Sequence, residues 1–177
     1  RASAVIERMQ KMTKKGKRTK EIIDCNLMII EVSKLAEFEA RLHNITIKII
    51  ACEQPTNVYV DRVQIQQVVL NLLRNGMEAM QSIESDTTIE LKIKLNMDKY
   101  LEISVTDTGA GLPEEMRETL FKPFSSTKQN GTGIGLSISK SIVEEHGGHI
   151  HFHDNKPTGA IFMFTLPIHD RGIVYDK

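Results

Sequence analysis

Two glycine clusters constrain the fold of this chain more than any other feature, because one follows a strand pattern and the other precedes a helical pattern. The first, Asp-Thr-Gly-Ala-Gly-Leu at 107–112, follows an apolar alternation over 101–105 that predicts a strand ending at Asp107. The second, Gly-Thr-Gly-Ile-Gly-Leu at 131–136, precedes a helical pattern over 136–146. A carboxylate at a strand end and a glycine loop at a helix start are both parts of a nucleotide site.

Each cluster has a chemical interpretation and an ordinary one. Asp107 can accept a hydrogen bond from an adenine amino group, and Gly109 lets the backbone approach the ring closely. Gly131, Gly133 and Gly135 lie where free N–H groups and the helix dipole favour phosphate. A single glycine-rich turn before a helix is more often only a turn, so one cluster alone leaves that alternative open. The chain has no Gly-x4-Gly-Lys-Ser/Thr, which excludes a P-loop, and the absence of an early Gly-x-Gly-x-x-Gly argues against a dinucleotide site.

A pair of asparagines stands on the helical pattern that precedes the first glycine cluster. Asn71 and Asn75 are four residues apart, which places both amides on one helical face. An amide oxygen is a hard ligand suited to Mg²⁺, which otherwise keeps waters and phosphate oxygens. Two polar residues on a solvated face are the ordinary alternative, but Asn is a poor helix former, so two at this spacing favour a functional role.

With Phe-Lys-Pro-Phe at 121–124, these segments form an ordered set of four. In this order they resemble the N, G1, F and G2 boxes of the histidine-kinase catalytic domain, within the ATP-binding superfamily of gyrase, Hsp90, histidine kinases and MutL. The similarity covers about residues 21–168, and the segment 71–80 is closest to sensor kinases of the nitrogen-regulation and oxygen-sensing type. The resemblance implies a two-layer α/β sandwich with a mixed sheet and helices on one face.

The resemblance also implies chemical roles for three of these residues. Asp107 would read adenine, Asn75 would bind Mg²⁺, and Asn71 would lie near the phosphates, so both asparagines take part in catalysis. Relatives that hydrolyse ATP carry Glu at the Asn71 position as general base, and Asn cannot take a proton at neutral pH. We therefore expect a site that holds Mg²⁺-ATP without rapid hydrolysis. Two departures from the family pattern are Gly76, where Ala is usual, and Glu78, where Lys is common and could touch phosphate.

A lid over the nucleotide is implied at residues 121–134, which begin with Phe121 and Phe124 and contain mostly polar residues and glycine. Such a segment should be mobile without nucleotide and become ordered on the phosphates. Lys122 and Lys128 are candidate phosphate contacts within it. The other residues that the resemblance assigns to the nucleotide are Gly109, Gly111, Gly131, Thr132, Gly133, Gly135, Leu136 and Thr165, a strand residue expected beside Asp107.

The family's phosphate acceptor is a His followed by Glu or Asp near the start of a helix upstream of the ATP site. Here only His153 and His169 precede an acid, and both lie downstream and outside helical patterns. Residues 1–12 show a helical pattern that resembles the end of a dimerisation and phospho-acceptor hairpin. We therefore expect a helical stub and linker at 1–20, a catalytic domain at 21–168 and a tail at 169–177.

The sequence thus predicts the ATP-binding domain of a two-component sensor kinase. It would phosphorylate an acceptor His outside this chain, in a homodimeric parent, and a response-regulator Asp would then receive the phosphate. One alternative is a serine kinase of the anti-sigma type, against which the helical stub argues. The other is a nucleotide-binding module without transferase activity, against which the intact motifs argue.

Composition is consistent with this interpretation. A chain of 177 residues with 40% apolar residues suits one globular domain, and zero net charge gives no sign of nucleic-acid or membrane-surface binding. Only Cys25 and Cys52 are present, without a paired motif, so free thiols in the cytoplasm are expected. No apolar run has membrane-spanning length, so any span of a membrane-anchored parent would lie outside this chain.

The remaining elements follow from periodicity. Asp61 with Gln64 predicts the capped start of a long helix over 62–83. His149, His151 and His153 alternate on one strand face, where an exposed polar row is favoured over a metal site because no Cys or carboxylate completes a ligand set. The other predicted helices cover 27–43, 113–120 and 136–146, and the predicted strands cover 45–49, 89–95, 100–107, 149–154 and 160–166.

Overall fold

The structure is a computed structural model that describes residues 19–81, 83, 87–125 and 133–169. Within these residues the chain forms seven strands: β1 (Glu21–Asp24), β2 (Ile45–Ile50), β3 (Asn57–Val60), β4 (Thr87–Leu95), β5 (Tyr100–Thr106), β6 (Ile150–Asp154) and β7 (Ala160–Pro167). The same residues form four helices: α1 (Cys25–Leu42), α2 (Arg62–Met80), α3 (Glu114–Arg117) and α4 (Gly135–Glu145). None of these helices combines the length and apolar character needed to cross a membrane.

The main sheet has five strands in the order β2-β4-β5-β7-β6. β2 pairs with β4 in parallel and the other neighbours pair antiparallel, so the sheet is mixed as predicted. Alternate residues of the central strands are buried, as Leu101, Ile103 and Val105 show for β5, whereas the residues between them are half-buried. The long helices cover the buried face and leave the other face open, which gives the predicted two-layer α/β sandwich.

Helix α2 is the centre of the helical layer and packs against both α1 and α4. Its N-cap is Asp61, whose side chain accepts the N–H of Gln64 at 3.1 Å, as the sequence predicts. The N–H of Asp61 donates to Nε2 of buried His146, at the end of α4, at 3.0 Å. The residues that α2 buries lie on its inner face: Ile65, Gln67, Val68, Val69, Leu72, Leu73, Gly76, Met77 and Met80.

A two-stranded ribbon of β1 and β3 was not predicted from the sequence. Each of its strands has only four residues, too few for an alternation to stand out. Ile23, Val58 and Val60 face the core, and Val58 also bridges to Ile168 after β7. The ribbon therefore brings the two ends of the domain together.

Several predicted boundaries shift by a few residues. Helix α1 begins at Cys25 rather than 27, because Asp24 accepts the N–H groups of Asn26 and Leu27 and so caps the helix earlier. Helix α2 ends at Met80 rather than 83, and α3 is shorter than the predicted 113–120. The predicted helical stub at 1–12 and most of the tail lie outside the described residues.

Cys25 and Cys52 are both free thiols. Cys25 lies in the core at the start of α1, where burial raises the pKa of its thiol to about 12, assisted by the negative charge of Asp24. A thiol with so high a pKa stays protonated and unreactive at neutral pH. Cys25 therefore acts as a small apolar core residue.

Candidate functional site

Asp107 lies directly after β5 and is 2% exposed. Its Oδ1 accepts two backbone N–H groups, from Gly109 at 2.8 Å and from Ala160 at 3.2 Å. Its own N–H donates to the carbonyl of Ala160 at 2.9 Å. The carboxylate is therefore oriented by its own turn and by the first residue of β7.

Glycines allow close backbone approach around this carboxylate. A Cβ at Gly159 would stand 2.1 Å from the carbonyl oxygen of Asp107, and the residue has a φ of +116°. A Cβ at Gly109 would stand 2.8 Å from the carbonyl oxygen of Ala79 on α2. Neither position has room for a side chain, so the Asp107 turn packs backbone to backbone against both the β6–β7 hairpin and α2.

Helix α2 brings its two asparagines to the same region. Both are half-buried, which differs from a fully solvated polar face. Asn71 Nδ2 donates to Oγ of buried Ser139 on α4 at 3.0 Å. A Cβ at Gly135 would stand 2.4 Å from Oδ1 of Asn71, so the start of α4 lies against this amide. Next to Asn75, a Cβ at Gly76 would stand 3.3 Å from Asp107 Cβ, which places this part of α2 beside the strand end.

The segment predicted as a lid is described only at its two ends, 121–125 and 133–134. These ends meet, because the N–H of Phe124 donates to the carbonyl of Gly133 at 2.9 Å. Phe121 packs on the core, whereas Phe124 is 79% exposed with a φ of +65°. The predicted contacts that lie outside the described residues are Lys128, Gly131 and Thr132.

Helix α4 begins at Gly135, where no side chain caps the described first turn. The first N–H groups of a helix have no partner within the helix, and this helix start lies against the Asn71 amide. Leu136, one residue on, is half-buried against the core and holds this end of the helix in place. Such a helix start suits a phosphate group.

Thr165 does not lie beside Asp107, so that prediction is wrong. In the sheet it pairs with Glu102, and its Oγ1 accepts the N–H of His149 at 3.0 Å. The residue at Asp107 is Ala160, five positions earlier on the same strand. Five residues of strand span about 16 Å. The contact comes from Ala160 backbone atoms, which no polar side chain in the sequence indicates.

The histidine row lies on the open side of the sheet edge. His149, His151 and His153 are all exposed, and the rings of the first two are 6.4 Å apart. No group of three or more His, Cys, Asp or Glu side chains among the described residues could hold a metal ion. The row is an exposed polar face of this edge.

Comparison with known proteins identifies the family. A family model described as histidine kinase-, DNA gyrase B-, and HSP90-like ATPase matches residues 60–170. The chain belongs to this family. The match includes α2, the Asp107 turn and α4, the elements that form the candidate site.

Proteins named as sensor proteins resemble the chain over most of its length. It is 36% identical to the sensor protein FixL of Bradyrhizobium diazoefficiens over 170 residues, which cover 96% of this chain and 34% of FixL. It is 36% identical to the sensor protein TdiS of Thauera aromatica over 153 residues, which cover 85% of this chain and 28% of TdiS. The chain thus spans about a third of the length of these relatives.

Solved structures agree with the fold. The catalytic domain of the histidine kinase ThkA matches at 35% identity with a TM-score of 0.72, covering 84% of this chain and 95% of that one. ThkA in complex with the response regulator protein TrrA matches at 29% identity with a TM-score of 0.75, covering 94% of this chain and 47% of that one. The predicted sandwich of the histidine-kinase type is confirmed.

Proposed function

We propose that this domain binds ATP with Mg²⁺ and transfers the γ-phosphate to a histidine in a helical hairpin outside the chain. The proposal is carried by the meeting of three elements: the buried carboxylate after β5, the asparagine face of α2 and the start of α4. The first suits an adenine amino group, the second a metal ion, and the third a phosphate. Their spatial order follows the order of base and phosphates in ATP.

Asp107 reads the base in this proposal. Two backbone N–H groups hold Oδ1, so the carboxylate keeps one orientation before any ligand arrives. A carboxylate accepts but does not donate, so it favours the 6-amino group of adenine over the 6-oxo group of guanine or hypoxanthine. The close packing at Gly109 and Gly159 keeps the turn from relaxing towards another base.

Asn75 holds the metal ion in this proposal. Mg²⁺ fits here because it takes one or two protein oxygens and completes its shell with phosphates and waters, so it needs no cage of acidic side chains. When bound, the ion neutralises charge that develops on the phosphates during transfer. Asn71 lies near the phosphates but cannot act as a general base, so bound ATP is kept for the acceptor histidine.

The partners follow from the same reasoning. The structure of ThkA with TrrA contains a response regulator together with a histidine kinase that resembles this chain. We assign to the parent of this domain an equivalent regulator, whose Asp receives the phosphate, and a homodimer built on the acceptor hairpin. A cytoplasmic location supplies the ATP and Mg²⁺ that transfer needs. The similarity to sensor proteins favours this function over a serine kinase or a non-catalytic module.

Calorimetry with Mg²⁺-ADP tests the proposal through Asp107→Asn. The substitution keeps the shape of the side chain and removes its charge. Losing a hydrogen bond to a charged group costs about 1.5–3 kcal/mol, so affinity should fall roughly tenfold to a hundredfold. The matched control is Asp98→Asn, which makes the same change in the exposed β4–β5 turn. Equal ADP affinities for the Asp107 variant and the wild type would refute the adenine role.

A further inference from the structure

The turn between β6 and β7 reaches the Asp107 segment through a side chain as well as through its backbone. Asn155 directly follows β6, and its N–H donates to the carbonyl of Gly159 at 3.1 Å, which closes the turn. Its side-chain Nδ2 donates to the carbonyl oxygen of Asp107 at 2.8 Å. Asn155 therefore joins a hairpin turn to a segment 48 residues earlier in the chain.

This contact adds to the hydrogen bonds that hold the main chain at Asp107. Ala160 binds the Asp107 N–H through its carbonyl and the Oδ1 through its N–H, and Asn155 binds the Asp107 carbonyl. The peptide groups on both sides of the Asp107 Cα are thus held by the same hairpin. Since the side chain starts from that Cα, a shift of either peptide group moves the carboxylate.

Among these contacts, the one made by Asn155 can be changed by substitution, because it comes from a side chain. Gly159 and Gly111 pack against their neighbours through backbone atoms alone, with Cβ positions 2.1 Å from the Asp107 carbonyl oxygen and 3.3 Å from the Gly159 carbonyl oxygen respectively. Arg117 on α3 binds Asp154 at 2.9 Å, which ties the end of β6 to the segment after the Asp107 turn. Asn155 alone among these holds Asp107 through a side-chain hydrogen bond.

We propose that Asn155 is a positioning residue for base recognition, and that its amide sets where the Asp107 carboxylate meets the 6-amino group of adenine. The inference rests on the proposed function of Asp107. Asn155 acts through Asp107 and has no contact with the base in this account. It adds the β6–β7 turn to the parts of the chain that determine which nucleotide is bound.

The test is the ratio of affinities for ADP and inosine diphosphate, which carries a 6-oxo group in place of the 6-amino group. Asn155→Asp keeps the shape of the side chain but replaces the donor with an oxygen that faces the Asp107 carbonyl. Because the displaced carboxylate would meet the 6-amino group less well, ADP affinity should fall roughly threefold to tenfold while inosine diphosphate affinity stays the same. Asn155→Ala should lower the ratio in the same direction and guards against poor folding of the first variant.

The control variant is Asn96→Asp, in the β4–β5 turn. Asn96 Oδ1 accepts the N–H groups of Asp98 and Tyr100, a role that a carboxylate oxygen also fills, so this variant should keep the wild-type ratio. An equal loss of affinity for both nucleotides in the two Asn155 variants would indicate only a structural role and overturn the inference. So would a wild-type ratio in both, provided that Asp107→Asn lowers it. If Asp107→Asn itself kept the wild-type ratio, the proposed role of Asp107 would fail first.

Discussion

The two ends of the candidate site differ in the chemical groups that hold their functional residues in place. At the proposed adenine end, Asp107 is held by peptide groups of β7 and of its own turn, and glycines bring those peptide groups into direct contact. At the proposed phosphate end, Asn71 and Asn75 project from α2 as half-buried side chains, and Asn71 is held by the hydroxyl of Ser139. The first end is fixed mainly by backbone groups, to which the Asn155 side chain adds one hydrogen bond, and the second end is fixed by side chains.

This difference matches what each end must do. Adenine is the same before and after transfer, so a fixed carboxylate serves both states. The phosphates change in number and charge, and side chains can follow that change because they rotate without moving the sheet. A packed backbone cannot yield in the same way. The adenine end should therefore lose binding and stability together, whereas the phosphate end should lose activity alone.

Gly159→Ala should give the largest effect, at the adenine end. The new Cβ would meet the Asp107 carbonyl oxygen at 2.1 Å, and a φ of +116° is unfavourable for any side chain. We expect a loss of about 2–4 kcal/mol in the free energy of unfolding and a loss of ADP binding. Urea denaturation and calorimetry measure the two quantities.

Gly147→Ala is the control for that substitution. Gly147 also has a positive φ, of +75°, but the nearest atom to its Cβ position is 3.6 Å away. It should lose only about 1–2 kcal/mol, from backbone conformation, and keep ADP affinity. If both variants lost the same free energy of unfolding and the same ADP affinity, close backbone packing at Asp107 would not explain the effect. The proposed difference between the two ends would then be wrong.

Asn75→Ala should separate activity from stability, at the phosphate end. Phosphotransfer from labelled ATP to a supplied acceptor hairpin should be abolished, because the metal ion would lose the protein ligand that we propose for it. The free energy of unfolding and the affinity for ADP without Mg²⁺ should stay near the wild-type values. Gln66→Ala removes an amide elsewhere on α2 and should leave transfer intact. Full transfer by the Asn75 variant would exclude the metal role.

Lowering the pH should give the smallest effect, a loss of stability in α4. The start of this helix belongs to the proposed phosphate end. Burial lowers the pKa of His146 at the end of α4, and Lys20 adds to this, whereas the Ile142 carbonyl, Asp61 and Glu145 oppose it. Since His146 Nε2 accepts the N–H of Asp61, the proton stays on Nδ1. The neutral ring is therefore the form that fits the fold.

The stability of the domain should fall with falling pH, because the folded and unfolded states bind a proton at His146 with different affinity. With its pKa lowered on folding, His146 binds a proton more readily in the unfolded chain. The contribution of neutral His146 to stability is therefore fully present above the unfolded pKa of about 6.5 and is lost as the pH falls through the folded pKa. Hydrogen exchange should show α4 losing protection in this range before β5 does. His146→Gln should flatten the dependence, and His43→Gln, at an exposed position after α1, should not. Equal loss of protection in α4 and β5 would show that both elements unfold cooperatively as one unit.

Sequence predicted those parts of the site that depend on neighbours in the chain. The alternation before Asp107 predicted its place at a strand end, and Asp61 with Gln64 predicted the start of α2, because strand period and helix capping act over a few residues. The spacing of Asn71 and Asn75 predicted a shared helical face for the same reason. The order of the four motifs then identified the type of domain, which the family match confirms.

Tertiary structure decided which backbone groups meet. Ala160 rather than Thr165 stands at Asp107, and the Asn155 side chain donates to the Asp107 carbonyl, although no residue type at these positions indicates a contact with the first glycine cluster. The ribbon of β1 and β3 likewise packs Ile23, Val58 and Val60 into the core, a contact between segments that are far apart in the chain. Local patterns determine the period, the cap and the turn of each element. Strand register and the packing of one backbone on another depend on the whole sheet, since hydrogen bonds between peptide groups are the same for every residue that forms them.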